Sequence, residues 1–395
     1  MRRVAVVVLG DLGRSPRMQY HALALAGEGA AVELIGYAGK PADRAVADEP
    51  RIRTHLLPRP LRQRAPASLF LPAAAVDLAW QSARLLELLV TLRPDTILVQ
   101  NPPSLPTLPA ARLAAGVRGA RLIIDWHNFG ADMLALRLGR RHPAVRAAGA
   151  VERALGKRAH AHLCVSGAMR DALARRFGVT GARVLYDRPA RRVSRAPRGP
   201  LFARLGLPVG ATVAITSSSW TADEDFSLLL DAAVRLDAEL RARPDLPDLL
   251  LVMTGDGPRR REWEDRFGAA GLARVRPRTL WVAAEDYPPL LAAADFGLSL
   301  HRSASGVDLP MKISDMFGAG LPVLALDYGP VLLELVTPGE NGRLFTDARA
   351  LAADLLAFLV DPASAEALRA GVARTSARSW HDGWLDEARP VFLRP

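Results

Sequence analysis

Six apolar residues in a row, Val4-Ala5-Val6-Val7-Val8-Leu9, are followed at once by the loop Gly10-Asp11-Leu12-Gly13-Arg14-Ser15-Pro16. A strand with no polar alternate has no face to give to water, so it belongs inside a parallel sheet covered by helices on both sides. The pattern recurs. In the first half, apolar runs at Ala31–Gly36, Thr96–Gln100 and Arg121–Asp125 alternate with helix-like segments near Pro16–Glu28 and Leu105–Ala115. The second half repeats the alternation, with runs near Thr212–Thr216, Leu249–Thr254, Thr279–Val282, Phe296–Leu300 and Pro322–Leu326. Such alternation predicts doubly wound α/β architecture. Because 395 residues exceed what one hydrophobic core usually serves, two such domains are expected. Between them, Asp187 to Pro200 reads DRPARRVSRAPRGP, which has neither period and suits an exposed connection.

Composition narrows the class. With 50% hydrophobic and 24% charged residues, the chain is too apolar for disorder and too charged for a multispanning membrane protein. Val4–Leu9 behind Met1-Arg2-Arg3 is too short for a signal peptide and lacks a small-residue cleavage site; no transmembrane anchor is visible. The single cysteine, Cys164, allows no internal disulfide, which fits a reducing cytoplasm. The net charge of +11 is unevenly shared: residues 1–200 carry 32 Lys and Arg against 14 Asp and Glu, and the remainder 20 against 27. A basic first half could attract nucleic acid, anionic lipid or a phosphorylated substrate. Nucleic acid is disfavoured, because no recognition motif and no basic stretch with interleaved aromatics is present.

In doubly wound sheets, ligands bind beyond the carboxyl ends of the strands. In the first loop, Gly10 and Gly13 permit a tight turn, Ser15 can cap the next helix and Pro16 suits its first position. That leaves Asp11 and Arg14 as functional candidates. In DWHNFG, Asp125 to Gly130, His127 could take up a proton near neutrality, oriented by Asp125 or Asn128. A lone histidine is more often a structural group; the company of this one makes it a candidate. In the second half, SSSWTADEDF offers the hydroxyls of Ser217 and Ser218, and TGDGP offers Gly255 and Gly257, for a phosphate or ribose. Asp223 and Asp225 have a spacing that could hold a divalent cation, although acidic residues in a first helical turn also complement the dipole. The most specific stretch is HRSASGVDLPMKISDMFGAGLP, from His301: a loop with Ser305 and Gly306, then a helix with Lys312 in its first turn and Asp315 one turn on. A helix N-terminus with a lysine suits a diphosphate, and a carboxylate one turn later could accept ribose hydroxyls.

These blocks, with AEDYPPLL and ELVTPGENGRLF, resemble in content and order the chitobiosyldiphosphodolichol β-mannosyltransferases, from about residue 4 to 346. The resemblance implies a GT-B fold: two Rossmann-like α/β domains facing across a cleft, with residues 1–190 binding the acceptor and 200–375 the nucleotide sugar. Residues 376–395 are then a C-terminal helix returning towards the first domain. It implies mannose transfer from GDP-mannose to a lipid-diphosphate-linked N-acetylglucosamine disaccharide, with inversion. Donor contacts would come from Ser217, Ser218, Trp220, Gly255 and Gly257, from Glu285, Tyr287 and His301, and from Ser305, Gly306, Lys312 and Asp315. Acceptor contacts would come from Gly10, Gly13, Arg14, Arg17 and Asn128. The base is Asp11 or His127, with Asp11 slightly ahead, and Lys312 receives the departing diphosphate. No cofactor or metal is required, and any divalent cation is non-essential.

The chain departs from the pattern in two places. The eukaryotic members' N-terminal anchor has no counterpart, giving the expectation of a soluble or peripheral bacterial homologue at the cytoplasmic face of the membrane. Leu69, Phe70, Leu71 and Trp80, near Arg62, Arg64 and Arg84, would meet an anionic surface. The glutamate pair of many GT-B enzymes is also missing, and only Asp315 stands in the second acidic position. A transferase with another nucleotide sugar or a retaining outcome, and a sugar-nucleotide epimerase, are the rivals.

Overall fold

The computed structural model describes residues 2–61, 70–189, 192–195, 197–221, 224–283, 285–303 and 305–393. The chain divides into two compact units, one made of Met1–Tyr186 with His381–Pro395 and the other of Asp187–Trp380. Arg62, Arg64, Leu69 and Asp223, named above, lie outside the described residues.

The first unit is built on seven strands: β1 (Arg3–Asp11), β2 (Ala31–Tyr37), β3 (Ile52–Leu57), β4 (Thr96–Asn101), β5 (Arg121–Trp126), β6 (Ala161–Cys164) and β7 (Arg183–Val184). They lie in the order β3-β2-β1-β4-β5-β6-β7, with every neighbouring pair parallel. Val4 to Leu9 are buried throughout, as a strand covered on both faces requires. The register of β1 against β2 shifts between Val7 and Asp11, and this irregularity turns the chain into the loop at Gly10.

The second unit repeats the plan with β8 (Thr212–Ser217), β9 (Leu249–Thr254), β10 (Val275–Leu280), β11 (Phe296–Ser299), β12 (Val323–Leu326) and β13 (Gly342–Phe345). Their order is β10-β9-β8-β11-β12-β13, again all parallel. Apolar layers cover both faces, one including Phe226, Leu229 and Phe296 and the other Phe202, Ile313 and Phe317. The strand expected at Thr279–Val282 lies at Val275–Leu280. As an edge strand it tolerates Pro277 and turns Arg276 and Arg278 outward, so it carries no apolar run to find.

The connection expected from Asp187 to Pro200 is only partly irregular. A helix, Arg198–Leu205, begins inside it, held by Arg198 Nε on the Ala293 carbonyl at 2.5 Å. In both sheets the order in which strands are added reverses beside the first strand, between β1 and β4 and between β8 and β11. The loops at those switch points are where a ligand is expected.

Candidate functional site

In the first unit, Asp125 sits near the end of β5, fully buried. Helix Pro16–Gly27 brings two partners to it from one face. Arg17 donates from Nε to Oδ2 at 2.7 Å and from Nη2 to Oδ1 at 2.8 Å, while Nη1 donates to the Leu185 carbonyl at 2.6 Å. His21, one turn on, places Nε2 3.2 Å from Oδ2. His127, in the loop after β5, places its own Nε2 2.9 Å from the same oxygen. Burial alone would push the Asp125 carboxyl up, but Arg17 and then His127 hold it well below the ordinary carboxylate range. Burial outweighs Asp125 at His21 and lowers its pKa, so that ring is neutral. When Nε2 of His127 donates to Asp125, Nδ1 is left as the acceptor on a ring that is only partly exposed.

The loop bearing His127 is pinned by Glu152, which the sequence reading did not single out. Its buried carboxylate accepts from Asn101 Nδ2 at 2.9 Å, Ser104 Oγ at 2.7 Å, Gly130 N at 2.6 Å and Ala131 N at 3.2 Å. It therefore caps helix Gly130–Leu138. Gly130 is required there, since a Cβ would lie 2.2 Å from Ser104 Oγ.

Several expected acceptor residues have other work. Arg17 is buried and committed to Asp125 and Leu185, so it is no open anion contact. Asn128 turns Oδ1 onto the Phe129 amide at 2.8 Å and serves its own loop. Asp11 accepts from Gly13 N at 3.2 Å, Lys40 N at 3.1 Å and Arg59 Nη2 at 3.2 Å, clasping the two loops at this end of β1 and β2. Gly13 makes that approach possible, because a Cβ would meet the Pro41 carbonyl at 2.4 Å. Ser15 makes no side-chain cap; its hydroxyl donates to the Asp11 carbonyl at 2.9 Å. Gly10 has room for a side chain as far as the protein is concerned. Arg14 is exposed and pairs with nothing among the described residues.

In the second unit, the loops after β8 and β11 are joined by a buried carboxylate, Glu224. It accepts from Ser218 Oγ and the Ser219 amide on one oxygen and from Lys312 Nζ on the other. Lys312 is thus paired across elements, with Glu224 rather than with Asp315 on its own helix. That helix, Met311–Gly318, has no side-chain cap, so its first amides are open to an anion beside Lys312. Asp308 organises the preceding loop, accepting from Ser303 Oγ and from Ser305 Oγ at 3.0 Å, with His301 Nε2 at 3.4 Å. Burial would raise its carboxyl, but His301 and Ser303 hold it low. Gly306 takes φ +72° to close the turn.

Tyr287 donates to Ser217 Oγ at 3.0 Å. Asp315 is exposed to solvent, yet desolvation by its neighbours first and the Asp187 charge second push its carboxyl up to about 7. Glu285 is exposed, with its charge near Arg204.

Three expected donor contacts are structural. Trp220 is buried, with its ring stacked on Phe226 at a 4.4 Å centroid distance, so its indole belongs to the core. Gly255 and Gly257 let the loops after β8 and β9 touch, because Cβ atoms would lie 1.9 Å from the Ser218 carbonyl and 1.7 Å from that of Ser219. Asp225 caps helix Phe226–Arg241 at Leu228 N, 3.2 Å, and pairs with Arg302 at 3.0 Å, so its charge is balanced by that guanidinium. Among the described residues no cluster of His, Cys, Asp and Glu could hold a metal. A cavity of about 510 Å³ in the first unit lies at the opposite, amino ends of β5 to β7, beside Arg121, Ala161 and Arg183, away from these loops.

Comparison with known proteins places both units. Residues 13–190 match the glycosyl transferase 4-like domain model and residues 211–361 the glycosyl transferases group 1 model. The chain is 39% identical to a protein of Arabidopsis thaliana named UDP-glycosyltransferase TURAN, over 99% of this chain and 97% of that one. It is also 39% identical to the chitobiosyldiphosphodolichol beta-mannosyltransferase of Eremothecium gossypii, over 97% of this chain and 84% of that one. Among solved structures, Anabaena Alr3699/HepE in complex with UDP and glucose superposes with a TM-score of 0.70 at 17% identity, covering 100% of each chain. That likeness shows the GT-B type of fold, and the family matches show a glycosyltransferase.

Proposed function

Because the chain belongs to the chitobiosyldiphosphodolichol beta-mannosyltransferase family, we propose that it transfers mannose from GDP-mannose to a prenyl-diphosphate-linked N-acetylglucosamine disaccharide, inverting the anomeric centre. The observation that carries the mechanism is the Arg17–Asp125–His127 constellation at the end of β5. An acceptor hydroxyl attacks the anomeric carbon as the bond to the diphosphate breaks, and its proton passes to Nδ1 of His127. Asp125 steadies the resulting imidazolium, while Arg17 keeps Asp125 ionised. His127 is a better base than Asp11, whose oxygens are engaged by three donors. Lys312 and the open amides of its helix receive the charge on the leaving GDP. Asp315 accepts from the ribose. This electrostatic provision supports transfer without a metal. Arg14, the free cation of the first loop, faces the acceptor diphosphate.

The decisive assay measures transfer from GDP-mannose to a short-prenyl diphosphate chitobiose, with and without EDTA, against UDP-glucose and UDP-N-acetylglucosamine. A β-linked product formed in chelator supports the reading; failure to bind GDP-mannose at all sinks it. The relative named for a UDP donor favours a second reading, another nucleotide sugar on the same site, which the UDP arms test directly. Loss of turnover in Asp11→Asn with retention in His127→Ala would reverse the choice of base.

We also infer attachment to the cytoplasmic face of an anionic membrane, from the basic excess of residues 1–200 and the exposed Trp80 on helix Phe70–Leu92. No helix among the described residues is long and apolar enough to cross a bilayer. Flotation with liposomes that shows no dependence on anionic lipid would refute it.

A further inference from the structure

Asp125 receives Arg17 and His127, whose roles in the mechanism are defined, and also His21, whose role is not. What fixes His21 is a residue far along the chain. Trp384, in the π-helical turn Trp384–Ala388, donates from Nε1 to His21 Nδ1 at 3.1 Å, and both side chains are fully buried. An indole N–H can only donate, so Nδ1 of His21 must accept. The ring proton therefore stands on Nε2, directed at Asp125 Oδ2 3.2 Å away. Packing alone does not require this pairing: the indole already stacks on Phe392 and His381, with centroids 6.0 and 6.4 Å apart. A π-turn in an otherwise α-helical tail is also an irregularity that recurs at functional sites.

We propose that Trp384 is a positioning residue for the transfer reaction, acting through His21 and Asp125 to keep Nδ1 of His127 the atom that takes the acceptor's proton. The proposal rests on His127 being the base. Its logic is a count of protons in a buried cluster. Arg17 and Asp125 cancel, and Cys164 beside them is uncharged, its thiol pushed up to about 12 by burial. The cluster can thus gain one positive charge, on either His21 or His127; Arg170, whose charge also reaches Cys164, is exposed and paired with Asp171. Trp384 decides between the two histidines. By occupying Nδ1 of His21 while Nε2 already bears its proton, it leaves that ring nowhere to bind another. It also prevents the opposite tautomer, which would aim a lone pair at the Asp125 carboxylate.

Trp384→Phe keeps the ring and removes the donor. With the indole N–H gone, His21 can protonate, and a second cation beside Asp125 opposes protonation of His127. Since a positioned general base contributes about 10²–10⁴-fold, the expected result is a kcat roughly tenfold lower. KM for GDP-mannose should stay within about twofold, and the acid limb of kcat against pH should move to lower pH. A general loss of folding would not produce that split. A companion pair covers the case in which Trp384→Phe fails to fold. A glutamine amide can accept from the indole and donate to Asp125, so His21→Gln should retain most of the turnover that His21→Leu loses. A folded Trp384→Phe with the wild-type pH profile overturns the proposal, as do equal activities of His21→Gln and His21→Leu. The base assignment fails separately, if His127→Gln turns over normally.

Discussion

Replacing Arg17 by methionine tests the buried cluster most severely. The guanidinium is 1% exposed and the carboxylate it serves 0%, so water can replace neither of the two hydrogen bonds to Asp125 nor the one to the Leu185 carbonyl. Methionine fills comparable volume, leaving the uncompensated charge as the main loss. Breaking a buried pair from one side costs about 3–5 kcal/mol. For a unit of roughly 200 residues, at about 2–4 °C per kcal/mol, the expected fall in melting temperature is about 6–20 °C at pH 8. The sign of the pH dependence is fixed as well. In the wild type a carboxyl held below its unfolded value contributes stability above about pH 4 that is lost as pH falls through the folded value. In Arg17→Met burial, which raises the Asp125 carboxyl, is no longer opposed by the guanidinium, so protonation of Asp125 itself should let the variant recover ground relative to wild type between pH 8 and pH 6. Differential scanning calorimetry at the two pH values reads both effects. A melting point within 2 °C of wild type at pH 8, or a deficit that grows on acidification, would refute the electrostatic account.

The second unit supplies three further tests. Gly257→Ala drives a Cβ towards the Ser219 carbonyl, so denaturant unfolding should show a loss of about 1–3 kcal/mol, and GDP affinity by calorimetry should fall with it; wild-type stability would mean the loop yields freely. Asp315 bears a carboxyl pushed up to about 7, so ribose binding by its ionised form predicts GDP affinity that weakens below pH 7 in the wild type but not in Asp315→Asn. Because a raised carboxyl destabilises the fold increasingly as pH climbs towards its folded value, the same variant should gain stability over wild type at pH 8 and not at pH 4. Asp225→Ala removes a helix cap and should cost about 1 kcal/mol, with no change in the response of turnover to EDTA; a new metal requirement would restore the cation reading of that aspartate.

The parallel strands declared themselves because burial on both faces removes every polar alternate, as in Val4 to Leu9 and Leu249 to Met253. Strands at the margins did not: β7 is two residues long, and β10 carries Arg276, Pro277 and Arg278 because an edge permits them. At the site, the loops and most of the residue types were legible, since chemistry collects where strands end. Their partners were not. Glu224 stood within an acidic run that a helix dipole explains equally well, and only the fold reveals that it reaches Lys312, 88 positions away. Glu152 lay in a spacer without a motif, yet four donors converge on it. Arg17 was expected to contact the acceptor, whereas its place in the first turn of its helix directs it inward. Pairing over long separations is a property of packing, and no local period encodes it.

The assignment of His381–Pro395 to the first unit has a consequence for biosynthesis. Tyr186 leaves the ribosome long before Trp384, and at about 5–20 residues per second the interval is roughly 10–40 s. Throughout that time the nascent first unit has its sheet but lacks the indole that partners His21, and the whole of the second unit emerges before Trp384 does. The unit begun first is completed last, so an arrested or truncated chain can display a finished second unit beside an unfinished first.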